Sequence, residues 1–175
     1  MRKNSHIATL VLAALLLGCS PHFNWREFTS KDASYQVLFP DKPSTASRIV
    51  DLDGTRTNMT MTAAEVDDIV FLVGQAEASD TAAASSALAA MQTGLLRNIQ
   101  GTTTRAASST ATNSAGTRVS RDIDATGQRN GKPVRLVAHF EARGRSLYQV
   151  VVVGPADAVK SEQTEQFISS FKVMQ

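Results

Sequence analysis

Ile49-Val50-Asp51-Leu52-Asp53-Gly54-Thr55 places two carboxylates one residue apart, after apolar residues and before Gly-Thr. In such a pair the first aspartate can attack phosphorus while the second serves as acid and base. That chemistry needs partners: a later carboxylate pair to hold Mg²⁺, and Ser or Thr and Lys groups to hold the phosphate. These would sit on successive strands of a parallel, doubly wound sheet. Here Asp67-Asp68 follows after a single stretch, Thr55 to Val66, in which Thr57, Met59, Met61 and Ala63 alternate with Asn58, Thr60 and Thr62. A parallel crossover takes about a dozen residues or more beyond the strand, and none are available. Asp-Gly between two extended runs is a hairpin signal. The stretch therefore reads as a strand ending in a turn.

It resembles the nucleophile motif of the haloacid dehalogenase-like hydrolases, but a motif needs its structural context, and here only the two aspartates match. The same residues begin like a calcium loop, D-x-D-G, with Gly too early and no closing Glu. A looser cation site from Asp51, Asp53 and Asp67 or Asp68 competes with the ordinary state of turn carboxylates, which is solvated. His22 lies in a tether, and His139 faces away from the main apolar set of its strand. With no Cys or second His at ligand spacing, no metal site is expected. No G-x-S-x-G elbow surrounds any serine. The expectation is a protein without catalytic residues, metal or cofactor.

The start of the chain speaks to location. Met1-Arg2-Lys3-Asn4-Ser5-His6 is basic, residues 7–17 are apolar, and Gly18-Cys19-Ser20 closes the run. This is the layout of a secretory signal. The run is shorter than the roughly 20 apolar residues that span a bilayer. Leu16-Leu17-Gly18-Cys19 resembles the lipobox of bacterial lipoproteins, in which cleavage follows Gly18 and Cys19 receives a diacylglycerol and an acylated amino terminus. Two or three acyl chains, at about 0.8 kcal/mol per buried methylene, hold a protein stably on a membrane. Ser20 rather than Asp resembles the pattern sorted to the outer membrane. The competing reading is an ordinary secretion signal beside a chance Cys.

After residues 1–18 and a tether of residues 19–24, about 150 residues remain, from 25 to 175, enough for one domain with its own core. Cys19 is the single Cys, so no intramolecular disulfide can form. The pI near 8.9 reflects the leader: without Arg2 and Lys3 the 18 basic side chains fall to 16, equal to the 16 acidic ones. A neutral domain gives no case for nucleic-acid binding. Charge is nonetheless uneven. Residues 51–80 carry seven acids and one base, and residues 97–145 carry nine bases and three acids. The favoured explanation is that the two groups of strands neutralise one another in the sheet. The alternative is a basic face of Arg118, Arg121, Arg129, Lys132 and Arg135, with Arg105 and Arg143, meeting anionic headgroups, lipopolysaccharide or an acidic partner.

Strands are expected over Trp25 to Thr29, Tyr35 to Phe39, Thr45 to Leu52, Thr55 to Val66, Arg118 to Ala125 and Val134 to Glu141, with period-two alternation in Tyr35 to Phe39, Thr55 to Val66 and Val134 to Glu141. Ile69 to Val73 is a continuous apolar run suited to a covered central strand, and Leu147 to Val153 is the most apolar strand of the chain. Asp80 to Asn98 shows helical spacing, with Ser79 or Asp80 able to cap it, and a second helix is expected over Asp157 to Ser170. Thr102 to Thr117 fits an edge strand and hairpin or a mobile loop. The sum is an α+β domain built on a mainly antiparallel twisted sheet of six or seven strands flanked by helices.

Phe39-Pro40-x-x-Pro43, Arg145-x-x-Tyr148-x-Val150 and Phe167-x-x-Ser170-Phe171 resemble the bacterial relatives of the Mog1/PsbP-like fold. The resemblance implies an α/β/α sandwich and brings no common catalytic residues. The expected protein is a lipid-anchored envelope lipoprotein at the periplasmic face of the outer membrane, a non-catalytic interaction or accessory module. Its expected partners are the membrane, through Cys19, and an envelope protein or anionic envelope component. The alternatives are a small-ligand or lipid carrier with a pocket between sheet and helix, and a hydrolase whose residues follow no motif.

Overall fold

A computed structural model describes residues 22–114 and 116–174. Gly18 and Cys19 lie outside the described residues. The elements run β1 (Arg26–Ser30), β2 (Tyr35–Phe39), β3 (Ser44–Leu52), β4 (Thr55–Val66), β5 (Ile69–Glu77), α1 (Ala84–Asn98), β6 (Thr102–Asn113), β7 (Gly116–Arg129), β8 (Lys132–Arg143), β9 (Ser146–Pro155), α2 (Ser161–Ser170) and β10 (Lys172–Val173). This is an α+β fold, and its strand pairings are antiparallel.

The expected single sheet is corrected to two. Seven strands form the large sheet in the order β3-β4-β5-β9-β8-β7-β6, and β1-β2-β10 form a small one. Pro40 and Pro43 stop β2 from running on into the large sheet, because proline has no N–H for the ladder. The detached hairpin is completed by Lys172 and Val173, a two-residue strand too short to carry a sequence period.

Two hydrophobic clusters follow from the alternation of the large sheet's central strands. Leu147 and Val151 of β9 join Leu136 and Phe140 of β8 with Leu88 and Met91 of α1. Tyr148, Val150 and Val152 join Phe71 and Val73 of β5 with Val37, Phe39 and Phe167, from β2 and α2. The three segments behind the family resemblance meet in this second cluster. Phe39 and Phe167 lie 5.3 Å apart, Tyr148 and Phe171 5.6 Å, and the Leu38 N–H donates to Ser170 Oγ at 2.9 Å.

Asp53 (φ 55°) and Gly54 (φ 81°) form the β3–β4 turn, and the positive φ at both is what a type I′ turn requires. Asp51 Oδ1 accepts the Gly54 N–H at 2.7 Å, so the would-be nucleophile fastens a turn. Helix α1 begins at Ala84 rather than Asp80, since Asp80 Oδ1 takes the Ala83 N–H (2.9 Å) and closes a turn ahead of the helix. Helix α2 likewise starts at Ser161, after a turn in which Ala158 and Val159 donate to the Pro155 carbonyl. Residues 102–113 are an edge strand, exposed along most of its length. At Gly127 the carbonyl of Ile99 comes close enough to leave no room for a Cβ, and Gln128 N–H donates to that carbonyl at 2.6 Å. Among the described residues no helix is long and apolar enough to cross a membrane.

Candidate functional site

Odd-numbered residues of β8 from Arg135 to Arg143 project on the face occupied by β2 and α2, away from Leu136, Ala138 and Phe140. The Asn130-Gly131 turn sets the register against β7, placing Asp122 opposite His139, Ser120 opposite Glu141 and Asp124 opposite Val137. Charged side chains from the two strands therefore meet on one face.

Glu141 is at the centre, its side chain only 4% exposed. It accepts from Arg118 Nε at 2.9 Å, Arg143 Nε at 2.5 Å and His139 Nε2 at 3.3 Å. The other imidazole nitrogen, His139 Nδ1, lies 2.7 Å from Asp122 Oδ1. Burial by itself raises the Glu141 pKa, but hydrogen bonds from His139 and Arg143 and the charges of Arg143 and Arg118 outweigh it and bring it to about 2. For His139 burial works downward, and hydrogen bonds to Glu141 and Asp122 reverse it, leaving the pKa above the usual 6.5. Both imidazole nitrogens are engaged by carboxylates, so neither is free to take a proton from a substrate. The two nitrogens also face different carboxylates, so the three groups do not converge on a point. Among the described residues no group of three or more His, Cys, Asp or Glu is arranged to hold a metal ion.

This arrangement sets an alkaline limit. The folded-state pKa of His139 is raised, so its contribution to stability is complete below 6.5 and is lost as pH rises through the folded value. In a pH titration followed by NMR, His139 is expected to titrate above 6.5, and to fall back toward it in Asp122→Asn. Titration at or below 6.5 in the unmodified protein would contradict the clamp.

A second group lies beside the first. Arg135 grips Asp124 with Nε (3.1 Å) and Nη2 (2.7 Å) and gives Nη1 to the Val159 carbonyl at 3.0 Å. The hydrogen bond to Asp124 raises the Arg135 pKa further. This bidentate pair ties the sheet to the segment that leads into α2. Between α2 and β6–β8 an open cleft remains, with adjoining volumes of about 200 and 420 Å³. Arg105, Asp122, Val137, Thr164, Glu165 and Ile168 line it.

The five basic residues singled out by the sequence are divided. Arg118 and Arg135 project with Glu141 and Asp124, where both are ion-paired. Arg121 alternates to the opposite face, and Arg129 and Lys132 oppose one another at the β7–β8 turn. The expected neutralisation between groups of strands is also corrected, because β9 separates β3–β5 from β6–β8. Among the described residues only Arg145 and Glu77, 3.4 Å apart, pair across that division. Arg118, Arg135 and Arg143 are balanced locally instead, by Glu141 and Asp124. The Asp122–His139–Glu141 cluster escaped the sequence reading, although the register counted outward from Asn130-Gly131 already places Asp122 against His139.

No known family profile matches the chain, and no curated protein does. Among solved structures, a protein of unknown function, PA94 from Pseudomonas aeruginosa, is similar at 12% identity and a TM-score of 0.39. The match covers 75% of this chain and 83% of that one, a likeness too distant to speak for fold or function.

Proposed function

We propose that this chain is a lipid-anchored envelope protein, held through Cys19 at the periplasmic face of the outer membrane. There it serves as a non-catalytic interaction module with a Mog1/PsbP-like arrangement. The observation that carries the anchor is the position of the chain's single Cys, directly after Leu16-Leu17-Gly18 at the end of an apolar run. The module reading is supported by Arg118, Asp122, His139, Glu141 and Arg143, which satisfy one another beside an open cleft instead of converging on an enclosed pocket. The packing of Phe39, Tyr148, Phe167 and Phe171 in one cluster supports the family arrangement. An anchor confines such a module to two dimensions and raises its effective concentration near membrane partners.

Metabolic labelling with palmitate tests the anchor. The unmodified protein is expected to take label and sediment with outer membranes, and Cys19→Ala to do neither. Label that persists in Cys19→Ala would overturn the proposal. A carrier is the second reading, favoured by the cleft of about 420 Å³ between α2 and the sheet. It predicts that an acyl-chain fluorophore binds the unacylated domain saturably, and that Val137→Trp blocks the binding.

A further inference from the structure

The strand connections sort onto two ends of the large sheet. The β4–β5 turn (Asp67-Asp68), the β7–β8 turn (Asn130-Gly131) and the end of β9 at Pro155 share one end, as the pairings Val70–Val153, Val134–Pro155 and Arg129–Lys132 require. The β3–β4 turn at Asp53-Gly54 and the Asn113–Gly116 connection lie at the other. The 14 residues of β7 separate these ends by about 45 Å at 3.3 Å per residue.

The described chain enters at the first end and is fastened there. His22 pairs with Asp67. Asn24 N–H donates to the Pro40 carbonyl at 2.8 Å. Phe23 and Trp25 stack at 6.0 Å, and both set their rings against the edge or face of Phe71. Only three residue steps separate His22 from Cys19. Fully extended, they reach about 11 Å. An anchor at Cys19 therefore leaves almost no slack between the bilayer and the Asp67-Asp68 turn.

From this geometry, and resting on the anchor proposed above, we infer that the end carrying Asp67-Asp68 and the β7–β8 turn docks on the bilayer, with Arg129 and Lys132 on headgroup phosphates. The β7–β8 turn is three strands from the β4–β5 turn in the sheet order, about 14 Å along the same end at 4.8 Å per strand. Arg129 and Lys132 are exposed, and among the described residues neither is in an ion pair with a carboxylate. They are thus available to anionic headgroup phosphate. The Asp53-Gly54 turn and the Asn113–Gly116 connection then point away from the membrane, toward whatever the module meets.

The test uses the lipidated protein in phosphatidylethanolamine–phosphatidylglycerol vesicles doped with a nickel-chelating lipid. Acylation of Cys19 leaves an introduced Cys as the single free thiol for a nitroxide. Labels at Gln128→Cys and Asp157→Cys are expected to show relaxation enhancement at least threefold greater than labels at Thr55→Cys and Ser114→Cys. In Arg129→Glu/Lys132→Glu the enhancement at Gln128→Cys is expected to fall about twofold while that at Asp157→Cys stays. Equal enhancement at both ends of a protein that carries the acyl mass would overturn the docking and leave the anchor standing. A protein without the acyl mass would remove the anchor and the docking with it. An unchanged value in the double variant would remove the basic turn from the contact.

Discussion

Glu141→Gln is expected to lower the stability of the domain by about 3 kcal/mol, read as a fall in Tm of about 10 °C for a domain of this size. The carboxylate is nearly fully buried and receives Arg118, Arg143 and His139. Removing its charge leaves two guanidinium groups and the His139 imidazole facing a neutral amide. The penalty sits toward the low end of that for a broken buried pair because the Arg118 and Arg143 side chains are 46% and 39% exposed and regain solvent. The pH dependence identifies the cause. The Glu141 pKa is depressed to about 2, so its contribution is complete above the unfolded-state value of 4.5 and fades as pH falls toward 2. The difference between the unmodified protein and Glu141→Gln should therefore shrink below pH 4. A variant within 0.5 kcal/mol of the unmodified protein at neutral pH would contradict the network as a stabilising element.

Phe167→Ala is expected to cost more, about 3–5 kcal/mol, the range for deleting a buried aromatic ring. Its side chain is fully buried, 5.3 Å from Phe39 and 5.4 Å from Phe71 by ring centroids. It is therefore the peg that fastens α2 and the small sheet to the large one. The cavity would open where β2, β5 and α2 meet, and the Leu38 N–H, bonded to Ser170 Oγ at 2.9 Å, should lose hydrogen-exchange protection first. Ile168→Ala, one residue on and only partly buried, should cost clearly less. Equal losses from the two substitutions would contradict this account of how α2 docks.

Much of the fold is legible in the residues because its elements announce themselves locally. Asp53-Gly54 and Asn130-Gly131 fix two hairpins, and the apolar runs at Ile69 and Leu147 mark the strands covered on both faces. The separate small sheet is not legible. Tyr35 to Phe39 has the same period whether it joins the large sheet or packs over it, and the choice rests on long-range contacts such as Phe39 with Phe167. The helix starts are displaced for a local reason, since Asp80 and Pro155 organise turns of their own before the helices begin. Of the candidate site, the basic residues are visible in composition but their sorting is not. Alternation separates Arg118 from Arg121, and a single buried acid, Glu141, absorbs two arginines that a charge count leaves unpaired. His139 is the instructive case. Its orientation away from Leu136, Ala138 and Phe140 is legible, whereas its carboxylate partners require a cross-strand register.

The central claim, a lipid-anchored interaction module, is tested most directly by crosslinking in living cells. A photo-crosslinking residue at Glu165, exposed on the rim of the cleft beside α2, is followed by affinity capture and mass spectrometry. The account predicts one envelope protein captured reproducibly and lost when Cys19→Ala removes the anchor. An empty capture from the acylated protein, or the same partner captured undiminished from Cys19→Ala, would contradict it.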